Sequence, residues 1–324
     1  MKMKIFSPVR ISFAGGGTDL PFFYEKFGGR VLNATLNFGW HIELRKNPFK
    51  AIDIIFEGKR ISFLEDEKQH QGDAFKIIRG PIKDFLPYKS GFFLTVKKDR
   101  PLLGLGSSGS LIVGLCNILS KFKGQRLSPR TIAERAFAIE YEDLGWLTGK
   151  QDHYAASFGG INIFHFGPKN VRVEPLKLEK KTKSQLRERL KIFFIGGARS
   201  FDLQKKLSEA VSEKKRLASL FKLREQVGLS AELLKKGDLD GLGELLNDSW
   251  NEKKKSNPSV SNDKIEKIYY LALKSGALGG KLAGAGQGGH MFFISKKGQE
   301  EKLVKRLQDF GVENVNFDFY SRRV

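Results

Sequence analysis

The chain has 324 residues, of which 40% are hydrophobic and 29% are charged. This composition is typical of a folded globular protein and excludes a collagen-like, low-complexity or disordered chain. The length is sufficient for two domains. The formal net charge of +21 could indicate nucleic-acid binding, but the basic runs are rich in Lys and interleaved with Glu. We therefore expect solvated helix faces and an attraction for anionic substrates, with no nucleic-acid partner.

The cysteine content and the lengths of the apolar runs indicate the cellular compartment of the protein. The chain has one cysteine, Cys116, so no disulfide can form within it and a reducing compartment is expected. No segment offers 18 uninterrupted apolar residues, and the N-terminus lacks the apolar core of a signal peptide. These features predict a cytoplasmic protein without a membrane partner, and we expect a monomer or a homodimer.

Short β-type runs are frequent in the first hundred residues, and two helical patterns follow them. The β-type runs are rich in branched and aromatic side chains and cover 9–13, 40–45, 52–56 and 92–96. The helical patterns cover 108–121 and 129–145, and Ser128 followed by Pro129 is a favourable start for the second one.

Helices are more frequent than strands in the second half of the chain. A β-rich region at 160–176 precedes a basic run at 177–191, which is the best candidate for a domain boundary. A buried strand follows at 191–196. Four helical patterns come next, at 201–227, 229–236, 239–255 and 262–275. The chain then has a terminal β-α-β unit at 291–295, 300–310 and 314–320. The order of elements predicts an α+β fold with two layers and domains at 1–180 and 190–324.

A loop of small residues is the most informative segment of the chain. It lies between the run at 92–96 and an apolar helical pattern, where glycines permit close approach of a ligand and a helix start offers free N–H groups. The spacing of its glycines also matches a dinucleotide fingerprint, but no acidic residue stands about 20 positions later, and a Walker A ending is absent. The alternative is a turn that only caps the helix. We predict that the loop binds the phosphates of a cofactor through Gly104, Leu105, Gly106, Ser107, Ser108, Gly109 and Ser110.

The segment PLLGLGSSGS at 101–110 resembles the central motif of the GHMP kinases. Two further segments are similar to motifs of that family in the same order: SPVRISFAGGGTDLP at 7–21 and GALGGKLAGAGQGGHMFF at 276–293. A fourth, GKQDHYAASFGG at 149–160, resembles the catalytic-aspartate region of its sugar kinases. The resemblance implies an N-terminal domain like the second domain of ribosomal protein S5 and a ferredoxin-like C-terminal domain.

The finer resemblance is to the D-glycero-D-manno-heptose 7-phosphate kinases, through AGGGTDLP, GKQD and the run at 246–281. It implies transfer of the ATP γ-phosphate to the anomeric hydroxyl of that sugar phosphate, giving the 1,7-bisphosphate. Fucose kinases share much of this pattern, so a fucokinase or a galactokinase-like enzyme stays open as an alternative. A non-catalytic binding protein on the same scaffold is a third reading.

The resemblance also implies roles for single residues. Asp152 would be the catalytic carboxylate beside the acceptor hydroxyl, and Arg10 would keep it ionised. Ser108 and Glu140 would hold Mg²⁺ together with ATP, and Glu142 and Asp143 are rivals of Glu140.

The sugar site is implied by the first and third motifs. Asp19 would bind sugar hydroxyls, and the other predicted substrate-binding residues are Gly16, Gly17, Thr18, Gly284, Ala285, Gly286 and Gly288. Arg199 and Lys253 are candidates for binding a phosphate on the acceptor. The third motif departs from the family at Gln287 and His290, and His153 stands where glutamine is common, so we expect His153 to be a pocket or packing residue.

Overall fold

The computed structural model describes residues 2–49, 51–64, 73–85, 91–197 and 211–321. Arg199 and the beginning of the helical pattern at 201–227 lie outside these residues. In the first half of the chain the elements are β1 (Lys2–Ala14), α1 (Pro21–Phe27), β2 (Gly29–Lys46), β3 (Ala51–Phe56), β4 (Lys59–Leu64), α2 (Asp73–Phe85), β5 (Phe92–Lys98), α3 (Ser107–Phe122), α4 (Pro129–Ala138), a π-helical turn (Ile139–Asp143), α5 (Gln151–Phe158), β6 (Ile161–Phe166) and β7 (Val171–Pro175).

The second half contains α6 (Lys180–Arg189), β8 (Leu190–Gly196), α7 (Glu213–Lys236), α8 (Leu239–Ser256), a 3₁₀ turn (Pro258–Val260), α9 (Asp263–Lys274), β9 (Ala277–Leu282), β10 (Gly289–Ser295), α10 (Glu300–Asp309) and β11 (Glu313–Val315). None of the helices in the described ranges combines the length and apolar character needed to cross a bilayer.

The strands form two sheets, one in each half of the chain. The first has the order β4-β3-β5-β2-β6-β7, and β1 pairs with β2 along its length. The second has the order β11-β8-β10-β9 and is antiparallel throughout. Numbered within their own domain, its strands run 4-1-3-2, which is the ferredoxin-like arrangement that the resemblance implied. The α+β fold class is confirmed.

Buried apolar side chains connect the two halves. One large cluster contains Phe13 of β1, Val227 of α7 and Phe292 of β10, and the rings of Phe13 and Phe292 meet edge to face at 6.1 Å. A second cluster, around Trp250 and Phe293, lies within the C-terminal half. Because the larger core continues across the halves, residues from both can approach one site.

The C-terminal tail returns to the first sheet. Along one edge, β2 has two neighbours in succession: Gly29–Ala34 pairs with β6, and Trp40–Lys46 pairs with β5. Residues 35–39 lie in the gap between these two neighbours. The tail fills the gap: Phe319 bridges Leu36, and the Tyr320 amide donates to the Thr35 carbonyl at 2.8 Å. The predicted strand at 314–320 is therefore short β11 followed by a tail that belongs to the other sheet.

Two elements differ from their prediction. The helix expected over 129–145 ends at Ala138 and continues as the π-helical turn. The helices expected at 201–227 and 229–236 are one helix, α7, in the described residues, because Gly228 lies in its interior without breaking it. The basic run contains α6, whose buried Arg189 donates to the Ser295 carbonyl at 2.9 Å, and the domain boundary placed there stays a prediction.

Candidate active site

The small-residue loop lies between β5 and α3, and we call residues 104–109 the phosphate loop. Gly104 and Gly106 have φ of 86° and 77°, a left-handed conformation that favours glycine. A Cβ on Gly106 would lie 2.8 Å from the Asp152 Cγ, and one on Gly109 would lie 2.9 Å from the Asp152 Cβ. The loop therefore lies directly against Asp152, and the first amides of α3 have no acceptor within the helix.

Two members of the predicted phosphate site already have partners in the protein. Leu105 is fully buried, its amide donates to Leu102, and its carbonyl accepts the Arg10 amide at 3.0 Å. The Ser110 hydroxyl donates to the Pro8 carbonyl at 2.8 Å, and the Ser110 amide donates to Gly106 within the helix. These two residues fix the loop to β1, which leaves the amides of Ser107, Ser108 and Gly109 as the groups that fit a phosphate.

Arg10 and Asp152 form an ion pair next to the phosphate loop. Arg10 is buried in β1, and its Nε donates to Asp152 Oδ1 at 2.7 Å; its Nη2 contacts the same oxygen. Its Nη1 donates to the Gly104 carbonyl at 3.2 Å. Asp152 Oδ2 has no hydrogen bond to any residue in the described ranges, so one carboxylate oxygen is held and the other is available to a ligand.

Glu140 lies beneath the same loop, on the π-helical turn. It is 1% exposed, and its Oε2 lies 2.7 Å from Nε2 of His153, which is fully buried. A Cβ on Gly109 would lie 3.4 Å from that oxygen. The predicted packing role of His153 therefore includes a direct contact with Glu140. Glu142 and Asp143 are exposed in the same turn, so Glu140 alone of the three is buried beside the loop.

Asp19 closes what we call the acceptor loop, residues 15–19. It is 2% exposed, and its Oδ1 accepts the Gly17 amide and the Gln151 Nε2, both at 3.0 Å. Its Oδ2 accepts the Gln151 amide at 3.3 Å, at the start of α5. Burial raises the pKa of Asp19, the charge of Asp152 adds to this, and the backbone hydrogen bonds oppose it. Asp19 thus connects the acceptor loop to the helix that carries Asp152.

Thr18 and Gly17 make contacts that hold the conformation of the acceptor loop. The Thr18 hydroxyl donates to the Gly15 carbonyl at 2.8 Å and accepts the Arg30 amide at 3.1 Å. A Cβ on Gly17 would lie 3.1 Å from Leu220 of α7, so this helix covers the loop. Gly16 has more space, since its nearest neighbour would be the Ser12 hydroxyl at 3.6 Å. Substrate binding by Gly16, Gly17 and Thr18 stays a prediction.

The third loop, residues 283–289, packs against the backbone of the phosphate loop. A Cβ on Gly284 would lie 2.6 Å from Gly104, one on Gly286 would lie 2.6 Å from Val260, and one on Gly288 would lie 2.6 Å from the Gly196 carbonyl. These glycines therefore permit the packing of backbone on backbone. The predicted contact of Gly284, Ala285, Gly286 and Gly288 with a substrate stays untested.

The two departures in the third motif, Gln287 and His290, have partners within the protein. Gln287 has φ of 67°, its amide donates to the Val260 carbonyl at 3.1 Å, and its Nε2 contacts the Ser259 carbonyl. His290 is fully buried, and its Nδ1 lies 2.8 Å from the Leu103 carbonyl. Burial lowers the pKa of His290 to about 4, so it is a neutral donor that fixes the loop.

Two lysines lie near the site, and only one of them was predicted from the sequence. Lys253 was a candidate for phosphate binding, and its Nζ donates to the Gly284 carbonyl at 2.6 Å. Lys281 was not predicted, although it is the charged residue within the apolar strand β9. That isolation is the signal that could have found it, because a charge in a buried strand needs a reason.

The donors at this site suit a nucleotide triphosphate and a divalent cation. The loop's backbone forms a cradle that a Cβ would fill, and free amides suit phosphate oxygens. The Ser108 hydroxyl and the Glu140 carboxylate are hard oxygen donors at the same end of α3. A site with a helix start, two acidic groups and an Arg–Asp pair is that of a phosphotransferase for small molecules.

Comparison with known proteins gives the family. Residues 74–160 match the model of the GHMP kinases N terminal domain, and residues 230–313 match that of the GHMP kinases C terminal. The chain is 36% identical over 313 residues to the D-glycero-alpha-D-manno-heptose 7-phosphate kinase of Campylobacter jejuni, covering 93% of this chain and 92% of the relative. It is 28% identical to the galactokinase of Thermotoga neapolitana, with coverage of 95% and 93%.

A solved structure gives the same result. The crystal structure of a D-glycero-D-manno-heptose 1-phosphate kinase from Bacteriodes thetaiotaomicron superimposes with a TM-score of 0.80 and 25% identity, covering 99% of this chain and 96% of that one. The chain belongs to the GHMP kinase family, and it is therefore an ATP-dependent phosphotransferase.

Proposed function

We propose that the protein transfers the γ-phosphoryl group of ATP to the anomeric hydroxyl of D-glycero-D-manno-heptose 7-phosphate, giving the 1,7-bisphosphate. The observation that carries this proposal is the Arg10–Asp152 pair held against the phosphate loop. It supports a centre where an acceptor hydroxyl and a terminal phosphate can meet. The relative that is 36% identical over most of both chains supports the choice of sugar.

The reaction needs alignment and a destination for one proton. The anomeric oxygen forms a bond to the γ-phosphorus, the bond from that phosphorus to the β–γ bridging oxygen breaks, and ADP leaves with the electron pair. Asp152 Oδ2 takes the hydroxyl proton as the new bond forms and later releases it to solvent. Arg10 holds Oδ1, so the carboxylate keeps one orientation.

Binding of ATP and Mg²⁺ is assigned to the groups around the start of α3. The amides of Ser107, Ser108 and Gly109 hold phosphate oxygens, and the Ser108 hydroxyl and Glu140 hold Mg²⁺. The metal, when bound, neutralises charge on the phosphates. We place the reaction in the cytoplasm, in a monomer or a homodimer.

The acceptor is proposed to sit against the acceptor loop. Asp19 lies next to the start of α5, and its charge interacts with that of Asp152, so a sugar that contacts Asp19 can present its anomeric hydroxyl to Asp152. The two similar heptose kinases are named for different phosphates, one for the 7-phosphate and one for the 1-phosphate. We choose the 7-phosphate because that relative is 36% identical, against 25% for the solved heptose kinase.

A turnover screen tests the proposal. ADP release with Mg·ATP is measured for D-glycero-D-manno-heptose 7-phosphate, the corresponding 1-phosphate, the unphosphorylated heptose, fucose and galactose, and ³¹P NMR identifies the phosphorylated position. We expect the highest kcat/KM for the 7-phosphate, with an anomeric phosphate in the product. A higher kcat/KM for fucose or galactose would replace this substrate, and no turnover of any of these sugars would refute the proposed acceptor.

A further inference from the structure

A buried lysine and a partly buried one lie where the halves of the protein meet. Lys281 in β9 is 4% exposed, and its Nζ donates to the Phe13 carbonyl in β1 at 3.4 Å. Lys253 in α8 donates from Nζ to the carbonyls of Leu282, at 3.1 Å, and Gly284, at 2.6 Å. These carbonyls orient the two amines, but they supply no full negative charge.

The charges around these lysines are unbalanced. In the described ranges neither lysine forms an ion pair with a carboxylate, and the nearby Arg10 is paired with Asp152. Beside the Arg10–Asp152 pair, the site therefore contains two amines that have no carboxylate partner in the part of the chain that the structure describes. Burial lowers the pKa of Lys281 to about 8 and that of Lys253 well below its usual range, and repulsion from Arg10 adds to both. Buried charges are normally paired, so a bound anion would stabilise the protonated form of both amines.

The position of the lysines indicates what that partner is. Phe13, whose carbonyl accepts from Lys281, stands two positions before the acceptor loop. Gly284, which accepts from Lys253, packs against Gly104 of the phosphate loop. The two amines thus lie between the loop assigned to the sugar and the loop assigned to ATP. A phosphate monoester carries nearly two negative charges at neutral pH, about one for each protonated amine.

We propose that Lys253 and Lys281 form a phosphate subsite that binds a dianionic phosphate group of a substrate. This inference rests on the proposed function, since both substrates of that reaction carry phosphate. The group is either the phosphate already present on the acceptor sugar or the terminal phosphate of ATP. Both sources present the same oxygens to the two amines, and kinetics separates them.

The variants Lys253→Met and Lys281→Met test the subsite, because methionine retains much of the side-chain length and removes the charge. Lys255→Met is the matched control: it removes a charge from α8 at an exposed position that pairs with Glu252 at 2.8 Å. Each protein is assayed for kcat/KM on phosphorylated and unphosphorylated heptose, and Mg·ATP affinity is measured by calorimetry.

The two sources predict different results. If the subsite holds the acceptor's phosphate, each Met variant loses roughly 10- to 100-fold in kcat/KM on the phosphorylated sugar, and the unphosphorylated sugar is affected little. If it holds the terminal phosphate of ATP, both sugars lose equally and Mg·ATP binds more weakly. Unchanged kinetics on both sugars, with unchanged ATP affinity, would overturn the subsite.

A binding measurement separates this inference from the sugar assignment. Inorganic phosphate should raise the melting temperature of the parent and of Lys255→Met, because it binds the folded state. The rise should be smaller in either subsite variant, in which only the phosphate loop is left to bind the anion. If the parent phosphorylates none of the sugars but retains this shift, the proposed function fails and the subsite stands. If the subsite variants respond to phosphate like the parent, the subsite is wrong.

Discussion

Asp152 uses its two carboxylate oxygens differently. Oδ1 is held by Arg10 and Oδ2 has no hydrogen bond within the described residues, which is the arrangement expected of a positioned base. We predict that Asp152→Asn lowers kcat by about 10²–10⁴-fold, the usual contribution of such a group. Mg·ATP affinity and melting temperature should change little. Steady-state kinetics and calorimetry measure these quantities.

The double variant Arg10→Met, Asp152→Asn tests whether the two residues act as a unit. Because Arg10 acts through the same carboxylate, the combined loss should be smaller than the product of the separate losses. Asp152→Asn activity within a few-fold of the parent would make this aspartate a structural residue and return attention to Glu140.

Lys281 gives a prediction about pH. Its pKa is about 8 in the folded protein and 10.5 as the ordinary value. Between pH 8 and 10.5 this lysine binds more protons in the unfolded chain than in the folded protein. The contribution of this residue to the free energy of unfolding therefore rises with pH across that range. We expect Lys281→Met to melt at a higher temperature than the parent at pH 7 and to lose this rise between pH 8 and 10.5. Thermal melts across that range measure it; an unchanged slope would contradict the assignment of a buried charge.

At the scale of elements, the phosphate loop depends on glycine at one position. Gly106 has φ of 77°, and a Cβ there would lie 2.8 Å from Asp152. Gly124, at the end of the same helix, has φ of 78° and open space around it. Gly106→Ala and Gly124→Ala should therefore cause similar backbone strain, because both glycines have positive φ. Only Gly106→Ala places a Cβ against Asp152.

We predict that Gly106→Ala weakens Mg·ATP binding by at least tenfold, about 1.4 kcal/mol, whereas Gly124→Ala binds as the parent does. Calorimetric titration measures both affinities. Equal affinities for the two variants would show that the loop tolerates a side chain where a phosphate is proposed to approach.

The elements around the site could be predicted to different degrees. The strand at 92–96 and the helix at 108–121 were predicted because periodicity and small residues agree there, and the structure confirms both. The π-helical turn that carries Glu140 could not be predicted, since it is the last turn of its helix and no further turn follows in which a shifted apolar spacing would be visible. α7 was divided at Gly228 because glycine propensity is a local signal, and packing overrides it.

The site's pairs depended on the fold rather than on local pattern. Arg10 and Asp152 were predicted as a pair only through the family resemblance, since they are 142 positions apart. Lys281 beside Phe13 is likewise a contact between elements distant in the chain. His153 contacts Glu140 on the preceding element, through a loop whose course the local pattern does not give. Sequence periodicity reports which face of an element is buried, but not which element covers it.

At the scale of the whole molecule, the C-terminal tail joins the two halves. Phe317 and Phe319 are 4% and 7% exposed, and the tail hydrogen-bonds to Thr35, Asn37 and Gly160. We predict that a chain ending at Asn316 is less stable by about 3–6 kcal/mol, from the burial of two phenylalanines. A chain ending at Ser321 is the control. Thermal unfolding of both measures the effect; equal melting temperatures would show that the tail contributes little.

The tail also sets an order for assembly on the ribosome. β2 begins at Gly29, yet its backbone at Leu36 and Asn37 pairs with Phe319 and Asp318, which are translated nearly three hundred residues later. The first sheet therefore stays incomplete at its centre while the second half is being synthesised and folded. Because the phosphate loop and the acceptor loop are attached to this sheet, a nascent or prematurely terminated chain exposes an unfinished strand edge, the kind of surface that chaperones recognise and that pairs wrongly when it is left open.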